Sequence, residues 1–391
     1  MNRTENRNSK AENSKSPWWE QILRGEKNGL LAESLRRVAK LSSWGYAAGV
    51  KSRDLAYQRG WLRSYRLPQP TICVGNITVG GTGKTPLVIR LARDLMGKGL
   101  KPAVLLRGYK REHVQRRPVL VRDPARVRVS VQEAGDEAME LALRLPGACI
   151  GVGADRWAAG QAILREYPVD CFILDDGFQH HRLDRDINIV TIDTTDPWGG
   201  GELLPAGLLR EKPEALRRAD AVVLTRAASV APDRLRILRG QVTGFMRTSS
   251  SLMESRHEPR ELVALSDHRV QALSALKGRR ILAVSGIGNP QSFETSLSQL
   301  GAEVIDVLRL EDHEGKPQQV WSWIQANRRA VDWIVMTEKD AMRWTDPAKP
   351  GSVLKEVYAL RMDLMITAGL QNWNNLIGLI HRLAAGTTHA R

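Results

Sequence analysis

The sequence predicts an α/β protein built on a doubly wound, mostly parallel sheet, with a second smaller α/β lobe and an N-terminal amphipathic helical segment. Three observations predict it. Short apolar runs recur at Ala103–Leu106, Ala148–Val152, Cys171–Leu174, Ile187–Ile192, Ala221–Leu224, Ile281–Val284, Val304–Leu308 and Trp333–Met336. Many are β-branched and non-alternating, as parallel strands covered by helices on both faces should be. Within Ile72–Leu91, an apolar strand, a glycine-rich turn and a helix follow one another, and such folds bind ligands at the carboxyl ends of strands. A basic, aromatic-rich stretch precedes that first strand.

The chain has 391 residues, enough for two packed domains, and 42% of them are hydrophobic. Lys and Arg number 58 against 43 Asp and Glu, a net charge of +15 that points to a polyanionic partner. Residues 1–66 hold fourteen Lys/Arg and six Asp/Glu, so about half of that excess belongs to the N-terminal appendage. Residues 1–17 are polar and read as a disordered tail. Residues 18–66 read as a basic amphipathic helical segment. It places Leu31, Leu35, Val38, Leu41, Trp44 and Trp61 among Arg36, Arg37, Lys40, Lys51, Arg53 and Arg59, the mixture that a helix lying on an anionic membrane surface needs. A helix packed on its own domain with a solvated basic face is the competing reading. No apolar run approaches membrane-spanning length, and no secretory signal is recognised. Residues 67–230 are expected to form the phosphate-binding core, 231–279 a hinge or irregular connection, and 280–391 a C-terminal α/β lobe. Cys73, Cys149 and Cys171 each lie in an apolar run and read as small core residues of a reducing compartment.

The glycine-rich turn carries the first chemistry. Gly83-Lys84-Thr85 closes a G-x-x-x-x-G-K-[ST] pattern in which Thr78 replaces the first glycine, while Gly80, Gly81 and Thr82 fill the loop. In that pattern, backbone N–H groups wrap a nucleotide's phosphates. The lysine neutralises the β/γ oxygens, and the Thr hydroxyl ligates Mg2+. Pro86 suits the first helical turn. The core is therefore P-loop NTPase-like, with a nucleotide and Mg2+ as its expected ligands. Downstream, Cys171–Leu174 ends in Asp175-Asp176, and a strand-end carboxylate beside the loop is what the metal requires. Thr85 and Asp175 are the leading metal ligands.

After those carboxylates comes Gly177-Phe178-Gln179-His180-His181. With it go Leu106-Arg107-Gly108-Tyr109-Lys110, Gly135-Asp136-Glu137, Gly153-Ala154-Asp155-Arg156, Leu204–Glu211, Ser285–Pro290, Asp312-His313 and Thr337-Glu338-Lys339-Asp340-Ala341. This ordered set resembles the tetraacyldisaccharide 4'-kinases of lipid A biosynthesis from about Gly60 to the 380s. The resemblance implies ATP- and Mg2+-dependent phosphorylation of the 4'-hydroxyl of a tetraacylated glucosamine disaccharide 1-phosphate, yielding lipid IVA. It implies a peripheral location at the cytoplasmic face of the bacterial inner membrane. It also implies Asp136 as the carboxylate that accepts the hydroxyl proton and His313 as the group that orients it, beside Lys84. Glu137 and Glu211 are further metal candidates. Asp176, Arg156, His180 and Arg210 are candidates for phosphate or sugar contacts, with structural ion pairs as the competing reading.

Two other classes fit the sequence less well. A regulatory P-loop GTPase would read guanine with [NT]-K-x-D, but in Thr337-Glu338-Lys339-Asp340 the Lys and Asp are adjacent. Nucleic-acid binding would use the basic charge, yet the excess sits beside Trp and Leu in a terminal segment and no nucleic-acid motif accompanies it, so no nucleic-acid partner is expected.

Overall fold

The computed structural model describes residues 29–108, 117–287, 290–310, 317–344 and 356–388. Helix α1 (Leu30–Gln58) leads into β1 (Thr71–Asn76), α2 (Lys84–Met96) and β2 (Pro102–Leu106). Then come β3 (Val119–Arg122), α3 (Val131–Ala134), α4 (Asp136–Arg144), β4 (Cys149–Val152), α5 (Arg156–Leu164), β5 (Cys171–Asp175), β6 (Ile187–Asp193) and β7 (Ala221–Thr225). The remainder is α6 (Pro232–Phe245), β8 (Ser251–Ala264), β9 (Val270–Gln271), β10 (Arg280–Ser285), α7 (Pro290–Gln299), β11 (Glu303–Arg309), α8 (Pro317–Asn327), β12 (Trp333–Thr337), α9 (Glu338–Trp344), β13 (Val357–Ala368) and α10 (Leu370–Thr388). The expected disordered tail at 1–17 lies outside the described residues.

All the described strands join one 13-stranded sheet in the order β11-β10-β12-β13-β8-β7-β6-β1-β5-β2-β4-β3, with β9 on the side of β8. Pairing is parallel from β7 through β6, β1, β5 and β2 to β4, and again among β10, β11, β12 and β13. Alternation along each strand builds two layers. Ile72 and Val74 of β1 face the core under α2, α4 and α10, whereas Cys73 faces the opposite core with Phe172 and Leu174 of β5. The three cysteines are buried free thiols.

Residues 231–279 are more regular than the sequence suggested. They hold the 14-residue helix α6 and the 14-residue strand β8, which pairs with β7 over its first residues and antiparallel with β13 from Glu254 to Ala264. The strand lacks a long apolar run because its charges are partnered in place: Glu254 meets Arg239 and Glu261 meets Arg361 at 2.6 Å. The same antiparallel ribbon carries the sheet from its N-terminal half to its C-terminal half. Between them, Arg144 of α4, with a side chain only 2% exposed, bridges Glu338 at 2.5 Å and Asp363.

Helix α1 lies on the second layer. Ala32 and Ser43 are buried and Tyr46 and Ala47 pack on that core, while Leu31 (84% exposed), Val38, Leu41 and Trp44 (68%) face outwards. Among the described residues no helix is long and apolar enough to cross a membrane.

Candidate active site

Between β1 and α2 the chain closes into the expected loop. Gly80 and Gly83 adopt φ +113° and +82°, and a Cβ at Gly83 would lie 3.2 Å from Thr225 Cγ2 and 3.5 Å from His257 Cε1. Glycine alone meets both demands. The loop is braced by residues that sequence reasoning missed. Thr82 and Thr191 hydroxyls meet at 2.8 Å, Thr225 Oγ1 donates to Thr82 O at 3.0 Å, and Arg226 Nη2 donates to Gly81 O at 3.0 Å. The signal, faint in sequence, was a polar side chain in or just after the apolar runs of β6 and β7. On the other flank Val79 N donates to Leu208 O at 2.7 Å, and Thr78 forms an antiparallel bridge with Leu209. Lys84 and Thr85 then open α2, whose N-terminus favours anions.

The two carboxylates at the end of β5 have different environments. Asp175 is 4% exposed, and its Oδ2 accepts from Thr85 Oγ1 at 3.3 Å. Burial, then the nearby Glu137, pushes its carboxyl up to about 7, against the pull of Lys84. Asp176 sits at φ 53° and receives Arg210 Nη1 at 2.8 and 2.9 Å, with Lys84 Nζ at 3.7 Å. Burial alone would raise Asp176, but Lys84 and Arg210 hold it below the usual carboxylate range.

Arg156 and His180 join this cluster. Arg156 Nη1 donates to His180 Nδ1 at 3.1 Å and Nη2 to Asp176 O at 3.4 Å. Burial, followed by Arg156 and Arg185, lowers His180 to about 3, so the imidazole is neutral and accepts through Nδ1. The four proposed substrate contacts, Asp176, Arg156, His180 and Arg210, are thus brought together. Glu211 is placed otherwise: its Oε1 accepts from Gln179 at 2.9 Å and its Oε2 from Arg218 at 2.6 Å. Both of its carboxylate oxygens thus have protein partners.

Asp136 is the first residue of α4, directly after Gly135 at φ +84°, and is half-buried. The helix packs Ala138, Leu141 and Ala142 in the core it shares with α2, and the charge of Glu137 in its first turn acts on Asp175. Glu140, one turn after Asp136, is pushed up to about 8 by burial and then by Glu338, and was also missed from sequence. His313, Asp312, Tyr109 and Lys110 lie outside the described residues.

A model of the tetraacyldisaccharide-1-P 4'-kinase family matches residues 35–377. The chain belongs to that family. It is 38% identical over 327 residues to the tetraacyldisaccharide 4'-kinase of Geobacter sulfurreducens, covering 83% of this chain and 89% of the relative. With the Syntrophus aciditrophicus kinase it shares 42% over 307 residues, covering 76% and 81%. The crystal structure of the apo-form LpxK of Aquifex aeolicus in complex with ATP superposes with a TM-score of 0.71 at 31% identity, covering 89% of this chain and 99% of that one. Family membership does not favour the GTPase reading. Locally, Asp340 of Thr337–Asp340 is fully buried and accepts from Gly286 N at 2.7 Å and Thr337 Oγ1 at 2.5 Å, a brace inside the kinase fold.

Proposed function

We propose that this chain transfers the γ-phosphoryl group of ATP to the 4'-hydroxyl of a tetraacylated glucosamine disaccharide 1-phosphate at an anionic membrane surface, yielding lipid IVA. The observation that carries the reading is the joining of Lys84 and Thr85 to Asp176 and Asp175 in a chain of this family. Loop N–H groups and Lys84 hold the phosphates. Thr85 and Asp175 fit Mg2+: both offer hard oxygen donors, and Asp175 Oδ1 is buried with no hydrogen-bond partner among the described residues. Thr85 and Asp175 would hold the ion, which when bound would supply positive charge against the charge developing on the transferred group.

The 4'-oxygen attacks the γ-phosphorus, the bond to the β–γ bridging oxygen breaks, and ADP leaves. The hydroxyl proton passes to the Asp136 carboxylate, with His313 orienting that group as the family resemblance implies. Arg210, held against Asp176, and Arg156, held against neutral His180, supply cations for the sugar phosphate. The outward apolar side chains of α1, rimmed by Arg36, Arg37 and Lys40, suit a helix lying in the interface of the inner membrane's cytoplasmic face.

The deciding assay combines labelled ATP, Mg2+ and the disaccharide 1-phosphate lipid. Label is expected on the lipid, and Asp136→Ala is expected to slow transfer about 100- to 10,000-fold while still binding ATP. GTP hydrolysis with no labelled lipid would sink the reading, and wild-type turnover by Asp136→Ala would remove that residue from it.

A further inference from the structure

Segment 202–211 has α1 on one flank and the phosphate loop on the other. Towards α1, Lys40 Nζ lies 3.2 Å from a Glu202 carboxylate oxygen. Ser43, 3% exposed, places its hydroxyl 2.8 Å from Leu203 O and 3.1 Å from the Ala206 amide, which donates to it. Tyr46 donates its phenolic proton to Arg210 O at 3.1 Å.

Towards the loop, Leu208 O accepts from Val79 N at 2.7 Å, Leu209 bridges Thr78, and Arg210 N donates to Ile77 O at 2.7 Å. The segment is tightly closed on itself, since a Cβ on Gly207 would lie 2.3 Å from Glu202 O. The backbone of Arg210 is therefore held on both sides of its Cα, by Ile77 through its amide and by Tyr46 through its carbonyl. Its side chain meanwhile grips Asp176, the partner of Lys84.

We propose that Ser43 and Tyr46 are positioning residues for the nucleotide site, acting through 202–211 on the phosphate loop and on Arg210. The helix offered to the membrane then also sets the geometry in which ATP is held. This inference rests on the phosphate loop's binding ATP, not on the identity of the lipid. The hydrogen-bonding side chains of α1 are distinct from its outward apolar ones, Leu31, Leu35, Leu41 and Trp44, so the two roles can be separated by substitution.

The test uses the full chain carrying Tyr46→Phe, which removes one hydroxyl and keeps the ring, and Ser43→Ala, which deprives the Ala206 amide of its acceptor. ATP affinity is measured with Mg2+ and no lipid, binding to phosphatidylglycerol/phosphatidylethanolamine vesicles by co-sedimentation, and folding by the thermal midpoint. Each variant is expected to bind ATP about three- to tenfold more weakly, the worth of one net hydrogen bond. The KM for ATP should rise more than kcat falls, while vesicle binding stays near wild type and the thermal midpoint falls by no more than a few degrees. Wild-type ATP affinity in Tyr46→Phe overturns the proposal. A joint fall of ATP affinity and vesicle binding also overturns it, because α1 would simply have lost its place. Weakened ATP binding in a protein that does not phosphorylate the lipid upholds the coupling while refuting the proposed substrate.

Discussion

Thr85 Oγ1 donates to Asp175 Oδ2 at 3.3 Å, so the residue after the phosphate-loop lysine and the end of β5 are joined across the sheet. Asp175 is also raised to about 7, by burial first and Glu137 second. A metal bound there must displace a proton below that pH. Mg2+ affinity is therefore expected to rise with pH up to about 7 and to flatten above it, with proton release detected by calorimetry in buffers of different ionisation enthalpy. Asp175→Asn should abolish that release and slow transfer by roughly a hundredfold or more, the scale of losing one preorganised electrostatic group. A pH-independent Mg2+ affinity would count against Asp175 as ligand.

Arg144 is a second point of leverage. Its guanidinium meets Glu338, Asp363 and the Met362 carbonyl inside the joint between α4 and the C-terminal strands. Arg144→Met keeps the bulk and removes the charge. Arg361 still holds Glu338 at 2.9 Å and Arg93 still holds Asp363 at 3.1 Å, so the loss should fall at the lower end for a broken buried pair, about 3 kcal/mol. Chemical denaturation with an unchanged m-value measures it, and a loss below about 1 kcal/mol would show that the two remaining arginines suffice.

His257 provides the pH prediction. Burial, then Arg226, lowers it to about 4 from the ordinary 6.5. The unfolded chain thus takes up a proton between about 6.5 and 4 that the native state refuses, and stability falls as pH drops through that window. His180 and His181 act in the same direction, whereas Asp175 and Glu140, raised to about 7 and 8, act oppositely and lose stability as pH rises through those values. The whole-protein profile therefore mixes opposing slopes, and the prediction is read as a difference. Relative to His257→Asn, the wild type should lose up to about 1.4 kcal/mol per pH unit between 6.5 and 4. A constant difference over that window would mean that His257 titrates normally in the fold.

Much of this was legible in the residues themselves. The doubly wound sheet followed from apolar runs such as Cys171–Leu174, because a strand covered on both faces has to be apolar throughout. The loop between β1 and α2 followed from Gly80–Thr85, because glycines free to take positive φ lead directly into Lys84 and Thr85 at a helix start. Strand β8 was not legible. Its Glu254, Arg256 and Glu261 look like loop residues until Arg239, Glu258 and Arg361 are seen beside them.

By itself, then, the sequence determined what is local: which stretches are apolar enough to become covered strands, and which short motif becomes the glycine loop at a helix start. Tertiary structure alone decided which distant groups meet. It engaged Glu211 with Gln179 and Arg218 instead of leaving it open, set Thr191, Thr225 and Arg226 behind the loop, and laid Ser43 and Tyr46 against the segment that braces it. The physical reason is sequence separation. Tyr46 and Arg210 are 164 residues apart and Arg144 and Asp363 are 219 apart, so each pairing depends on where its elements pack in the fold and on no local preference of either residue.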